Sequence, residues 1–163
     1  MNDQKTASAQ IKRLVSGGQT GVDCAALDVA LELGIPCGGW CPKGRWAENG
    51  EIPAKYPLVE TPSDDVAQRT EWNARDSDGT LVITEGETVG GTTLTVEMAR
   101  RYCKPVLVID LLKDTAEAPG RIALWIAENK IGVLNVAGPR ESTTPGVNEK
   151  SKSLLLRTLR SAS

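Results

Sequence analysis

The residues of this chain best suited to chemistry are three glycine clusters with hydroxyl, amide or basic neighbours, and the chemistry they suit is anion binding. The first is Gly17-Gly18-Gln19-Thr20-Gly21, the second Gly90-Gly91-Thr92-Thr93, the third Ala137-Gly138-Pro139-Arg140. Glycine lets the backbone approach an anion with no Cβ in the way, and the unpaired N–H groups of a helix's first turn favour negative charge. Pro42-Lys43-Gly44-Arg45 adds two cations able to make charge-assisted bonds to such a group. Arg69 stands in a segment crowded with polar side chains, from Gln68 to Asp76, with little apolar surface to bury. No cluster is the dinucleotide fingerprint G-x-G-x-x-G or a P-loop ending in Gly-Lys-Ser/Thr. The plain alternative for the first cluster is a tight strand-to-helix turn that binds nothing.

Composition removes several other chemistries. The chain has no histidine, which rules out Ser-His-Asp and Cys-His catalysis, H-E-x-x-H metalloproteases and the zinc deaminases. Its four cysteines (Cys24, Cys37, Cys41 and Cys103) form no C-x-x-C pair. They read as reduced thiols filling space, with no metal site among them. A net charge of −2 and few aromatic residues argue against a nucleic-acid groove. No apolar run approaches the ~20 residues of a membrane span, so the expected setting is the cytoplasm.

The elements that must position these residues follow from periodicity. Residues 1–10 are polar and aperiodic and read as a mobile tail; a single domain occupies 11–163. Leu14-Val15 is a short strand, and Val22, Ala25, Ala26, Val29, Ala30 and Leu33 recur at helical spacing. A second strand is expected within Pro36–Cys41 and a short one at Tyr56–Glu60, inside a Gly/Pro-rich functional loop from Pro42 to Pro62. A polar helix spans about 64–77, and Thr80–Thr84 is an apolar strand of the kind buried on both faces. Then follow a helix from the second glycine cluster to Tyr102, a strand at 104–110, a helix at 116–130, a strand at 131–136 and a last helix at 146–160. Strand and helix alternate throughout, which predicts an α/β fold: a doubly wound, Rossmann-like parallel sheet in three α/β/α layers. In such sheets ligands sit beyond the carboxyl ends of the strands, where all three glycine clusters fall.

The blocks GGQTGVDCAALDVALELGI, GGWCPKGR, YPLVETPS, QRTEWNARDSDGTLVI and GGTTLTVEMAR closely resemble the molybdenum cofactor carrier family, a Rossmann-like relative of the LOG-type proteins and of DprA. The resemblance implies a protein that holds molybdenum cofactor (molybdopterin) rather than turning it over. The terminal phosphate would sit at Gly17, Gly18, Gln19, Thr20 and Gly21 or at Gly90, Gly91, Thr92 and Thr93, with Lys43, Arg45 and Arg69 adding charge and Asn73 reading the pterin edge. Trp40 or Trp72 would stack on the ring or pack in the core. Molybdoenzymes or cofactor-biosynthesis proteins are the implied partners, and self-association into a homo-oligomer is expected. A second likeness, to LOG-type nucleoside 5′-monophosphate phosphoribohydrolases, rests on Arg69 nine positions before Asp78 and on Gly90-Gly91 before Glu97. In that alternative Arg69 would hold the phosphate and Glu97 would activate water. The enzymes' motif has a proline before its glycines and x-Gly-Thr where this chain has Thr92-Thr93-Leu94, so binding without turnover is the leading expectation.

Overall fold

Short apolar runs become parallel strands and the periodic segments between them become helices in the computed structural model, which describes residues 11–113 and 116–160. The expected tail, 1–10, lies outside the described residues. In chain order the elements are β1 (Arg13–Val15), α1 (Val22–Leu33), β2 (Cys37–Gly38), β3 (Trp40–Cys41), β4 (Trp46–Ala47), β5 (Gly50–Glu51) and β6 (Val59–Glu60). They continue with α2 (Val66–Arg75), β7 (Gly79–Thr84), α3 (Gly90–Arg101), β8 (Val106–Asp110), α4 (Ala118–Glu128), β9 (Val133–Ala137) and α5 (Val147–Leu159).

Five strands form one parallel sheet in the order β2-β1-β9-β7-β8. Numbered along the chain, these five strands read 2-1-5-3-4. That is the usual doubly wound order 3-2-1-4-5 with its first strand moved to the carboxyl end of the chain. The point where strand order reverses therefore falls between β9 and β7. Right-handed crossovers that run toward β2 and those that run toward β8 place their helices on opposite faces. Accordingly α1, α5 and α4 pack together as one layer, and α2 packs on α3 as the other. Leu14, Leu81, Ile83, Ile109 and Leu134 of the sheet meet Leu27, Ile122, Ile126, Leu154 and Leu155 of the helices in a core without phenylalanine. All of β7 is buried, as its apolar run predicts.

Two features depart from the expected elements. The second strand is interrupted at Gly39, whose φ of 125° is open to glycine and where a Cβ would come within 2.5 Å of the Ser16 carbonyl oxygen. The chain leaves the main sheet there, and β3 pairs with β6 instead. The loop of residues 42–62 holds a small antiparallel hairpin, β4–β5, whose two-residue strands are too short to show an alternating pattern. Among the described residues no helix is long and apolar enough to cross a membrane.

Candidate functional site

A cavity of about 290 Å³ opens at the carboxyl ends of β1, β9 and β7. Gly17, Gln19 and Asp23 follow β1, residues 89–92 with Leu94 and Thr95 follow β7, residues 135–137 end β9 and residues 138–140 with Thr143 follow it; Val66, Arg69, Thr70 and Asn73 of α2 form the remaining wall. The three glycine clusters thus meet at one edge, at the reversal of strand order, as the alternation of elements predicts.

Once together, the clusters differ in what they leave free. In the first, the Gln19 N–H donates to the Asp23 carboxylate at 3.2 Å and the Thr20 N–H to the Gln19 side-chain oxygen at 3.0 Å. The Val22 N–H donates to the Pro139 carbonyl at 3.3 Å. The glycines here serve packing: a Cβ on Gly18 would meet Leu58 at 2.5 Å, and one on Gly21 would meet the Pro139 carbonyl oxygen at 2.4 Å. Thr20 donates its hydroxyl to Glu48 and accepts the Glu141 N–H at 3.1 Å.

The second cluster is open. A Cβ on Gly90 or Gly91 would have nothing within 4 Å. Gly90 needs its positive φ of 53°, but Gly91 has neither an unusual φ nor a close neighbour. Glycine inside a helix costs about 1 kcal/mol relative to alanine, so at position 91 it keeps the N-terminus of α3 bare at a cost in stability. Thr92 beside it is 7% exposed, lines the cavity, and has no hydrogen-bond partner for its hydroxyl among the described residues. Thr93 instead donates to the Thr88 hydroxyl at 3.2 Å.

Arg69 faces this bare turn from α2. Its Nη1 donates to the Gly17 carbonyl at 2.9 Å and lies 3.9 Å from an Asp23 carboxylate oxygen, leaving its other guanidinium N–H groups without an acceptor among the described residues. Gly17 lacks a Cβ because the arginine occupies that space, at 2.5 Å from where the atom would be. Burial pushes the Asp23 carboxyl above its ordinary range, an effect that Arg69 opposes, and burial likewise lowers Arg69 against the pull of Asp23. Arginine remains charged under such shifts, and the two form a buried pair.

Other residues expected at the site lie elsewhere or are already engaged. Lys43 sits beside Glu60, Ser63 and Asp64 on a separate surface cleft. Arg45 uses its guanidinium to staple the 42–62 loop, donating to the carbonyls of Leu58, Pro53 and Tyr56 at 2.9, 3.1 and 3.0 Å. Asn73 touches the cavity, but its amide clamps β3, accepting the Trp40 N–H at 2.8 Å and donating to the Trp40 carbonyl at 3.0 Å. Trp40 and Trp72 pack edge to face at 4.8 Å, with the Trp40 indole donating to Asp76 and Arg75 lying over Trp72; neither lines the cavity. Glu97 is exposed and outside the cavity wall. No group of histidine, cysteine and carboxylate side chains among the described residues is arranged to hold a metal ion.

Sequence reasoning missed Asp23 and Glu48. The acid in the first turn after the first glycine cluster was the available signal for Asp23. Nothing local marks Glu48, which comes from the tip of the hairpin to accept hydrogen bonds from Thr20 and from the Ser142 hydroxyl and N–H. Those bonds, led by that of the Ser142 hydroxyl, hold its carboxyl below the usual value of 4.5. A folded-state pKa below the unfolded one contributes stability above the unfolded value that is lost as pH falls through the folded one. Thermal melts between pH 7 and pH 3 should therefore show a smaller acid loss of stability in Glu48→Gln than in the wild type; parallel curves would contradict this clamp.

Glycine turns at a strand-order reversal, walled by a polar helix and a buried arginine, define a Rossmann-like α/β protein with a cavity at the edge where such folds place ligands. The chain belongs to the circularly permutated YpsA SLOG family, whose sequence profile matches residues 14–159. The displaced first strand seen in the sheet order agrees with a circular permutation. The chain is similar to the crystal structure of a "putative molybdenum carrier protein" from Syntrophus aciditrophicus SB, with 46% identity, a TM-score of 0.90 and coverage of 92% of this chain and 96% of that one. No curated protein matches the chain.

Proposed function

We propose that this protein is a cytoplasmic carrier of molybdenum cofactor and grips the phosphate end of the pterin at the N-terminus of α3. The observation that carries the reading is the polar convergence there: among the described residues, bare Gly90 and Gly91, the unpartnered Thr92 hydroxyl and the spare donors of buried Arg69 line one small space. Such a set binds a phosphate through charge-assisted bonds and a helix pole. Val66, Val89 and Leu94 give the same cavity an apolar side on which a flat heterocycle can lie, a job the tryptophans are not placed to do. The similar molybdenum carrier structure supports the choice of ligand.

Holding without turnover fits the charges available. Asp23, the carboxylate that the described residues place in the cavity wall, is committed to Arg69 and the Gln19 N–H, and Glu97 lies outside, so among the described residues no free acid faces a glycosidic bond. Incubation with AMP should release no adenine. Reconstitution with extracted cofactor, read by pterin fluorescence, should give co-elution that disappears when Arg69 and Thr92 are both changed to Ala; unaltered binding would remove the assigned site. Self-association belongs to the same proposal. Val108 on the free edge of β8, Leu112 just after it and Leu124 on α4 are exposed apolar side chains, and light scattering should give a mass above that of one chain; a monomer would contradict it.

A further inference from the structure

We propose that Asp23 is a specificity-determining residue that restricts the cavity to ligands carrying a single phosphate, and bars those in which a diphosphate joins two units. The inference rests on the reading of the cavity as a phosphate site and adds to it which phosphorylated ligands fit.

Three helix N-termini reach the cavity; that of α2 is capped by the Asp65 carboxylate, which accepts the Ala67 N–H at 3.0 Å, and those of α1 and α3 follow β1 and β7. These strands flank β9, and the two helices lie on opposite faces of the sheet. In doubly wound dinucleotide-binding proteins such a pole takes a pyrophosphate. Here the pole of α1 already holds an anion belonging to the protein. The Asp23 carboxylate accepts the Gln19 N–H at 3.2 Å and sits 3.9 Å from the Arg69 guanidinium, while the Thr20 and Val22 N–H groups are spent on Gln19 and Pro139. Asp23 is 7% exposed, so little water screens it from a ligand in the cavity.

The charge balance leads to the same restriction. Among the described residues the charged groups of the cavity wall are Asp23, Arg69 and Arg140, which leaves one surplus positive charge, and Arg140 is shared with Glu48 at 3.9 Å. A monoester phosphate, with a charge of roughly −1.5 to −2, is nearly matched by this surplus and the α3 pole. A second phosphate would find no cation left and a fixed carboxylate near it, and like charges brought together across an interface are strongly unfavourable. The cavity's size agrees, since about 290 Å³ lies just below the range of small-molecule sites, about 300–1,000 Å³.

The test compares extracted molybdopterin bearing a terminal monophosphate with extracted molybdopterin dinucleotide, in which a diphosphate links the pterin to a nucleoside. Both are titrated into the full chain and read by pterin fluorescence. The wild type should bind the monophosphate form at least about tenfold more tightly. Asp23→Asn keeps an oxygen for the Gln19 N–H, removes the charge, and should narrow that ratio to about threefold or less. Thr143→Lys, at the exposed cavity rim, adds a cation without touching the buried pair. It should narrow the ratio in the same direction, which keeps the proposal testable if the Asp23 variant does not fold. Equal binding of the two forms by the wild type, or a ratio that neither folded variant changes, overturns the role of Asp23 and leaves the carrier reading standing. Failure of both forms to bind overturns the carrier reading and this inference together.

Discussion

Arg69→Ala is expected to empty the site and weaken the fold at once. The guanidinium lines the same cavity as the bare α3 turn, and losing its charge-assisted bonds, each about 1.5–3 kcal/mol, should lower affinity for the phosphate-bearing ligand about 100-fold. The same change strands the Asp23 carboxylate, buried at 7% exposure, without its partner. Removing one member of a buried pair costs about 3–5 kcal/mol; denaturant unfolding should show a loss of that order at pH 7. Arg69→Lys separates the two effects. It keeps a positive charge beside Asp23 but gives up the planar fork, so stability should largely return while ligand binding stays weak. If lysine restores binding in full, the guanidinium geometry has no part in recognition.

Gly91→Asp should move stability and binding in opposite directions. Position 91 lies in the first turn of α3, with no positive φ and no atom within 4 Å of a Cβ, so a side chain fits in the free protein. Replacing glycine removes its helix penalty, and an acid in the first turn complements the helix dipole, together about 0.5–1.5 kcal/mol of added stability. The carboxylate would then occupy the pole proposed for the ligand's phosphate, and binding should fall by about 100-fold, the equivalent of roughly 2.7 kcal/mol. Thermal melts and ligand titration on the same preparation check both signs. A variant that is stabilised yet binds normally would place the phosphate elsewhere in the cavity.

Arg69 and Arg45 show why neighbouring basic residues of one sequence come to differ in use. Both stand in polar, glycine- or hydroxyl-rich surroundings that suit an anion. Arg69 comes from a helix whose register turns it toward β1 and the cavity. Arg45, at a φ of 52°, turns back into its own loop and is consumed by its carbonyls. Backbone acceptors in a long loop must find donors, and this need is not visible in the order of residue types. The same holds for Asn73, whose amide looks available in sequence and is taken up by both backbone groups of Trp40.

By itself the sequence determined the alternation of strands and helices, the parallel sheet and the edge at which the glycine clusters gather. These follow from local periodicity and from the handedness that a chain of L-residues imposes on its crossovers. Only the tertiary structure decided which of those clusters is left free. The pairing of β9 between β1 and β7 brings Pro139 against the α1 turn, the hairpin lays Glu48 over Thr20, and Asp23 fills the α1 pole. The first two of these contacts join residues whose meeting depends on how the chain folds back, whereas Asp23 reaches Gln19 within one turn; together they leave the N-terminus of α3 as the turn with bare glycines and an unpartnered hydroxyl.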